Sequence, residues 1–216
     1  RLSRLPWQAL GLLVLLAFYV VYLIFVAVNK QASVDYTTFV SIGQRFLDGD
    51  EIYVENSYYP LPYVLIFAAL AALPASISIV LWHAIPLIAA LWAAHWRLWP
   101  LAFAPLFAHF TGAQTAVVGL LAIYGFSRWR DDWRGGAMLA LATLKPQLLL
   151  LPLAWAGAHW IKALYDKHAL PKQAWAFGIV AALVYLPTFI IYPGWISDWL
   201  ASPRPLFERA MAGFIS

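Results

Sequence analysis

The residues of this chain best placed to do chemistry are few: Asp35, Gln114, Lys145 and Gln147. Asp35 follows a long apolar run and opens an amphipathic stretch, where the positive end of a helix dipole favours an ionised carboxylate. Such a carboxylate can serve as a general base, or simply as the N-terminal charge or cap of its helix. Lys145 stands with Pro146 inside the apolar stretch 135–160. An isolated ammonium there either faces a protein-lined, watery cavity or snorkels at a helix break. In a cavity it can neutralise a phosphate, with Gln147 donating further hydrogen bonds. Gln114, close behind Gly112, suits a helix start whose unpaired backbone donors can meet an anion.

Other chemistries are excluded or weakened by what the chain lacks. It has no Cys, hence no disulfide, thiolate metal site or cysteine nucleophile. Its five histidines (His83, His95, His109, His159, His168) show no HxxxH or HExxH spacing. No Asp or Glu stands nearby to complete a zinc set, so no metal site is expected. His83 and His109 read as packed or hydrogen-bonded helix residues. Asp48, Asp50, Glu51 and Glu55 read as a solvated turn, and Asp131 and Asp132 as charge balance among arginines. Ser, His and acid residues are too scattered for a hydrolytic triad. There is no repeat and no nucleotide-binding glycine loop, and a net charge of +4 spread over loops does not suggest nucleic acid as a partner.

The elements that must position these residues are helices in a bilayer. Of 216 residues, 63% are hydrophobic and 11% charged, against about 25% charged in soluble domains, and the mean hydropathy is +0.74. A spanning helix needs about 20 residues, so the chain holds several spans and no separate soluble domain. The first apolar run, 7–29, is too long for a signal-peptide core and is expected to be retained. Arg1 in place of a Met suggests a processed form or a piece of a longer protein. Arg1 and Arg4 put that end in the cytoplasm. Residues 30–60 then form an outer loop whose acids (Asp35, Asp48, Asp50, Glu51, Glu55) outnumber Lys30 and Arg45. Within it Tyr36, Phe39, Val40, Gly43, Phe46 and Leu47 share one helical face, opposite Thr37, Ser41, Gln44, Arg45 and Asp48. This predicts an interfacial helix ended by Gly49.

Further spans are expected at 61–73, where Pro60 and Pro62 suit a helix start, at 77–94 and at 175–192. The segment 100–110 covers only about 16 Å of helix and must dip into the membrane or lie flat. Another span opens at 111–114 and reaches the charged loop 128–134. At 135–160 two topologies compete. If the segment crosses, the basic loops 128–134 and 162–172 lie on opposite sides. If it is a hairpin of two half-helices meeting at Lys145, both lie in the cytoplasm, as the charge bias prefers. Trp96, Trp99, Trp129, Trp133, Trp160, Trp175, Trp195 and Trp199 fall near inferred span ends, as an aromatic belt requires. The stretch 194–216 reads as an outer amphipathic tail. The expectation is therefore one all-α, multi-pass transmembrane domain over 1–216. It is a helical bundle of about five full spans plus half-helices in the cell (inner) membrane.

The order of these motifs resembles a known family. The run Asp35-Tyr36 to Phe46-Leu47-Asp48-Gly49, followed by Ile52-Tyr53 and Tyr59-Pro60-Leu61-Pro62, resembles the first outer loop of the membrane-embedded glycosyltransferases of the C superfamily. The closest likeness is to glycosyltransferase family 87, the polyprenyl-phosphate-mannose-dependent mannosyltransferases. Gly112-Ala113-Gln114 resembles that family's Gly-Gln helix start with an alanine inserted, and Leu144-Lys145-Pro146-Gln147 its Lys-Pro element. The resemblance covers about residues 10–200 and implies a truncated or shortened member, because such proteins carry further spans.

It implies an inverting transferase that passes a hexose, mannose or a similar sugar, from a polyprenyl-phosphate donor to a lipid or glycan hydroxyl on the outer face. Asp35 would then be the base. Lys145, Gln147 and Gln114 would meet the donor phosphate, and Tyr36, Tyr59 and His109 would line the cavity, with no metal or other cofactor. Two rivals stay open. One is a noncatalytic membrane subunit on a shortened scaffold of this kind, packed among partner subunits and lipids. The other is a channel or transporter using Lys145, for which no inverted repeat is visible.

Overall fold

The computed structural model describes residues 7–30, 33–54, 57–166 and 169–202. The expectations for Arg1, Arg4, Glu55, His168 and the tail beyond Ser202 lie outside them. The described residues are helical, with no strand among them. In chain order the helices are α1 (Trp7–Asn29), α2 (Val34–Asp48), α3 (Leu61–Ala71), α4 (Ala75–Ala93), α5 (Ala104–Gly112), α6 (Ala116–Arg128), α7 (Trp133–Ala142), α8 (Pro146–Tyr165), α9 (Lys172–Ile191) and α10 (Trp195–Ala201).

Four of these, α1, α4, α8 and α9, are long and apolar enough to cross a membrane, where the sequence led us to expect about five. Their outward residues are bare hydrocarbon: Leu151 is 84% and Ile190 83% exposed. In water such a surface would drive aggregation, whereas lipid accepts it at no cost. Trp96, Trp99, Trp133 and Trp175 are exposed near helix ends, but Trp195 is buried against Tyr185 and Phe189. It packs the bundle instead of anchoring it.

The expected span at 61–73 does not cross. Helix α3 has 11 residues, about 16 Å at 1.5 Å each, and it folds back along α2. At the contact, Gly43 meets the backbone of Phe67 so closely that any Cβ would collide with it. Phe39 and Phe67 stack at 4.7 Å between ring centroids. The next helix then starts beside the end of α1, where the Ser76 hydroxyl donates to the Ala27 carbonyl at 2.9 Å. Helices α2 and α3 thus form a hairpin at one end of the bundle, called here the α2 face. The interfacial helix is present, capped by Ser33 and ended by Gly49 in the left-handed conformation. Its buried face includes Ile42, while Leu47 is exposed, so the apolar stripe is rotated by about one residue from the expected one.

The segment 100–110 lies across the middle of α1. Tyr19 donates to the Leu101 carbonyl at 3.0 Å and Tyr22 to the Thr111 carbonyl at 3.2 Å. Helix α6 then descends to a basic face, where Trp92 and Trp129 bring the ends of α4 and α6 together; at 13 residues, about 20 Å, it is shorter than the full span expected to open at 111–114.

Helix α7 rises from that face for 10 residues, about 15 Å, which is half of a hydrocarbon core of about 30 Å. At Lys145 the chain turns and α8 returns, packing Trp155 against Phe126 near the lower end of α6. The stretch 135–160 is therefore a hairpin, though an unequal one, since α8 is a full 20 residues rather than a half-helix. Helix α9 climbs beside α7, with Gly136 against the Gln173 backbone and Tyr185 donating to Thr143 at 2.9 Å.

Both basic loops consequently share a face. There Asp132 caps α7, accepting from the Arg134 backbone N–H at 2.9 Å. The Arg134 guanidinium holds the Asp132 carboxyl below its usual range, and Lys172 adds to the effect.

Two outcomes are expected. Gly43→Ala should force α2 from α3 and lower stability by about 1–3 kcal/mol, read from unfolding of the detergent-solubilised protein. In vesicles, single cysteines placed at Asp131 and Asp166 should react with an impermeant maleimide from the same side, and one at Asp50 from the other. The chain has no Cys of its own to interfere.

Candidate functional site

The site is assembled at the α2 face from four separate stretches of chain. Helix α2 begins at Ser33, whose hydroxyl accepts the Tyr36 backbone N–H at 3.4 Å. Ser33 is therefore the cap, and Asp35 is a first-turn carboxylate favoured by the helix dipole with its oxygens free for other partners. It is half-buried and accepts a hydrogen bond from the side-chain amide of Gln114.

Gln114 reaches Asp35 because of the turn between α5 and α6. Ala113 takes up the left-handed conformation there, with φ 56° and ψ 28°, which reverses the chain. That costs an alanine about 1 kcal/mol, and tertiary bonds hold it in place. Trp82 donates its indole N–H to the Ala113 carbonyl at 3.3 Å. His109, fully buried, sets Nδ1 against the Gln114 carbonyl at 2.6 Å and Nε2 against the Trp82 carbonyl at 3.0 Å. The Trp82 carbonyl is available because the residue four positions on is Pro86, inside α4, which has no N–H to give it.

Next to Gln114, Thr115 is buried, and its hydroxyl accepts from the Lys145 ammonium at 2.7 Å. The Tyr59 hydroxyl lies 3.4 Å from the same oxygen, and the Lys145 ammonium stands 5.2 Å from the centroid of the Tyr59 ring. Such a placement is attractive because the ring face is electron-rich. Gly119 makes room for this arrangement, since a Cβ there would press on the Lys145 Cβ at 3.2 Å and on Leu148 at 3.0 Å. Lys145 also marks the start of α8, whose positive dipole end adds to the ammonium charge. Burial pushes the Tyr59 hydroxyl up from its ordinary pKa. The Thr115 contact opposes that rise, and the Asp35 charge reinforces it, so the phenol stays protonated at neutral pH. A cavity of about 200 Å³ opens beside the ammonium, lined by Tyr58, Tyr59, Pro60, Lys145, Pro146 and Gln147, with Leu144 behind.

Of the residues expected from sequence, the fold brings Asp35, Gln114, Lys145, Gln147 and Tyr59 into one neighbourhood. Gln114 turns its amide to Asp35. Two expected lining residues lie elsewhere. Tyr36 is buried and donates to Ser78 at 2.6 Å, and His109 is sealed in the turn beneath Gln114. Each is a packing or bonding residue, because inward-facing rings in an apolar bundle take whatever polar partner the nearest helix offers. Thr115 was missed, since a lone hydroxyl at a helix start carries no distinctive spacing. Its one signal is that it adjoins Gln114 in an otherwise apolar stretch. Among the described residues no group of three or more His, Cys, Asp or Glu is disposed to hold a metal ion. No protein-family model matches the chain, nor does any curated protein or solved structure.

Thr115 should be the joint of this network. Thr115→Val keeps the shape but removes the acceptor of a charged donor, and should cost about 1–3 kcal/mol in unfolding measurements. Thr115→Ser should stay close to the parent.

Proposed function

We propose that this chain is a membrane glycosyltransferase of the C-superfamily type. It would move a hexose, mannose or a similar sugar, from a polyprenyl-phosphate donor to a lipid or glycan hydroxyl. The observation that carries this reading is the approach of a carboxylate and an ammonium through two adjacent residues: Gln114 bonds Asp35 and Thr115 bonds Lys145. A base and a phosphate-facing cation are what glycosyl transfer from a phosphate requires. The order of motifs around Asp35, Gln114 and Lys145 supports the same reading by resemblance.

In the proposed reaction the acceptor hydroxyl attacks the anomeric carbon as the bond from that carbon to the donor phosphate oxygen breaks. The hydroxyl proton passes to the Asp35 carboxylate. The phosphate leaves with the bonding electron pair, and its growing charge is offset by Lys145 and the N-terminal end of α8. Gln114 fixes the carboxylate, and Gln147, exposed at the cavity rim, donates to the phosphate. The basic face, with Arg128, Arg130, Arg134, Lys162 and Lys172, is placed in the cytoplasm by the positive-inside rule, so the α2 face looks outward.

The test is transfer by the reconstituted protein from a polyprenyl-phosphate sugar to a hydroxyl acceptor. Asp35→Asn should lower the rate by about 100-fold or more, and Lys145→Met by about 100-fold, with melting temperatures close to the parent. Full activity in Asp35→Asn would overturn the assignment.

A further inference from the structure

A second and larger cavity lies at the other end of α6 from Thr115. It occupies about 420 Å³ between α4, α6 and α7, within the range of about 300–1,000 Å³ typical of ligand pockets. Its walls are apolar, formed by Ala89 and Ala93 of α4, Leu121 and Gly125 of α6, and Met138 and Leu141 of α7. Small residues on facing helices hold the space open. At Gly125 even one Cβ would meet the Met138 Cγ at 2.8 Å.

One end of this slot has a different chemistry. Arg128, Trp129, His95 and Tyr124 stand at its mouth, where the basic loops gather. Trp92 and Trp129 lie with ring centroids 6.1 Å apart, and the Tyr124 hydroxyl donates to the Ala93 carbonyl at 3.5 Å. Arg130 is paired with Asp131 and Arg134 with Asp132. Arg128 has no ion pair among the described residues, and its side chain is exposed. An apolar slot ending in an indole and an unpaired guanidinium is complementary to an amphiphile with an anionic head. Indoles settle at headgroup depth, guanidinium pairs with phosphate through two parallel hydrogen bonds, and basic pockets between membrane helices select anionic lipids.

We infer that this slot binds one acyl chain of an anionic phospholipid, with the lipid phosphate on Arg128. The site is independent of the Lys145 cavity and of any transfer reaction. The full chain, purified in detergent, is titrated with phosphatidylglycerol and with phosphatidylcholine of identical acyl chains, and bound lipid is counted by native mass spectrometry. One phosphatidylglycerol should bind about fivefold more tightly than phosphatidylcholine, the ratio that one basic side chain at a membrane surface supplies. Arg128→Gln should erase that preference, Arg130→Gln should keep it, and Ala93→Leu should weaken both lipids by filling the slot. Equal affinity for the two lipids in the parent protein would overturn the inference. So would equal loss of preference in both arginine variants, which would assign the effect to the charge of the whole loop.

Discussion

Hydrocarbon offers no water to an unpaired peptide group, so wherever this bundle interrupts a helix it must find another partner for the exposed backbone. Most of its architecture follows from how it does so. Pro86 deprives the Trp82 carbonyl of its helical donor, and His109, from a different helix, sets a ring nitrogen against it. The other nitrogen of that imidazole faces the Gln114 carbonyl, so a neutral ring, with one N–H, donates to one of the two carbonyls, and the Trp82 indole donates to that of Ala113. The α5 to α6 turn is thereby bolted to α4 at the cost of one left-handed alanine. Tyr19 and Tyr22 do the equivalent for the segment crossing α1. Each interruption is thus a place where polar side chains are retained inside an apolar bundle.

The candidate site grows out of two such interruptions that meet. One delivers Gln114 and Thr115; the other, at Pro146, delivers Lys145. Neither charged residue is paired directly with the other. Asp35 and Lys145 are joined through neutral groups, and each keeps capacity toward the open side. A direct ion pair would satisfy both charges and leave little reason for a ligand to enter. The indirect arrangement keeps a positive locus, made of the ammonium and the start of α8, beside the aromatic face of Tyr59.

Much of this was legible in the sequence because the signals were local. The lone Lys145-Pro146 in an apolar stretch pointed to a helix break, and the charge of the two basic loops pointed to a hairpin. The 3.6-residue spacing after Asp35, closed by Gly49, pointed to a short surface helix. The same reasoning failed where length and partner decided the outcome. Residues 61–73 are apolar enough to suggest a span, yet nothing in their composition tells that Gly43 offers a flat seat for Phe67. Tyr36 and His109 are polar residues in apolar surroundings, as a cavity lining would be. Whether such a ring faces a cavity or a neighbouring helix depends on the rotation of elements packed against it, which no local pattern encodes.

Composition and periodicity alone determined that this is a helical chain written for lipid, where its helices break, and which residues are too polar to be there without cause. Those properties depend on neighbours within a few positions along the chain, through hydropathy, proline and capping. Tertiary structure alone decided that Asp35 and Lys145 share a neighbourhood, that Thr115 joins them, and that a basic-mouthed slot lies beneath. The first two depend on contacts between residues 79 and 30 positions apart in sequence. Close packing at Gly43, Gly119 and Gly136 sets those contacts by distance of approach, a quantity that exists only once the helices have met.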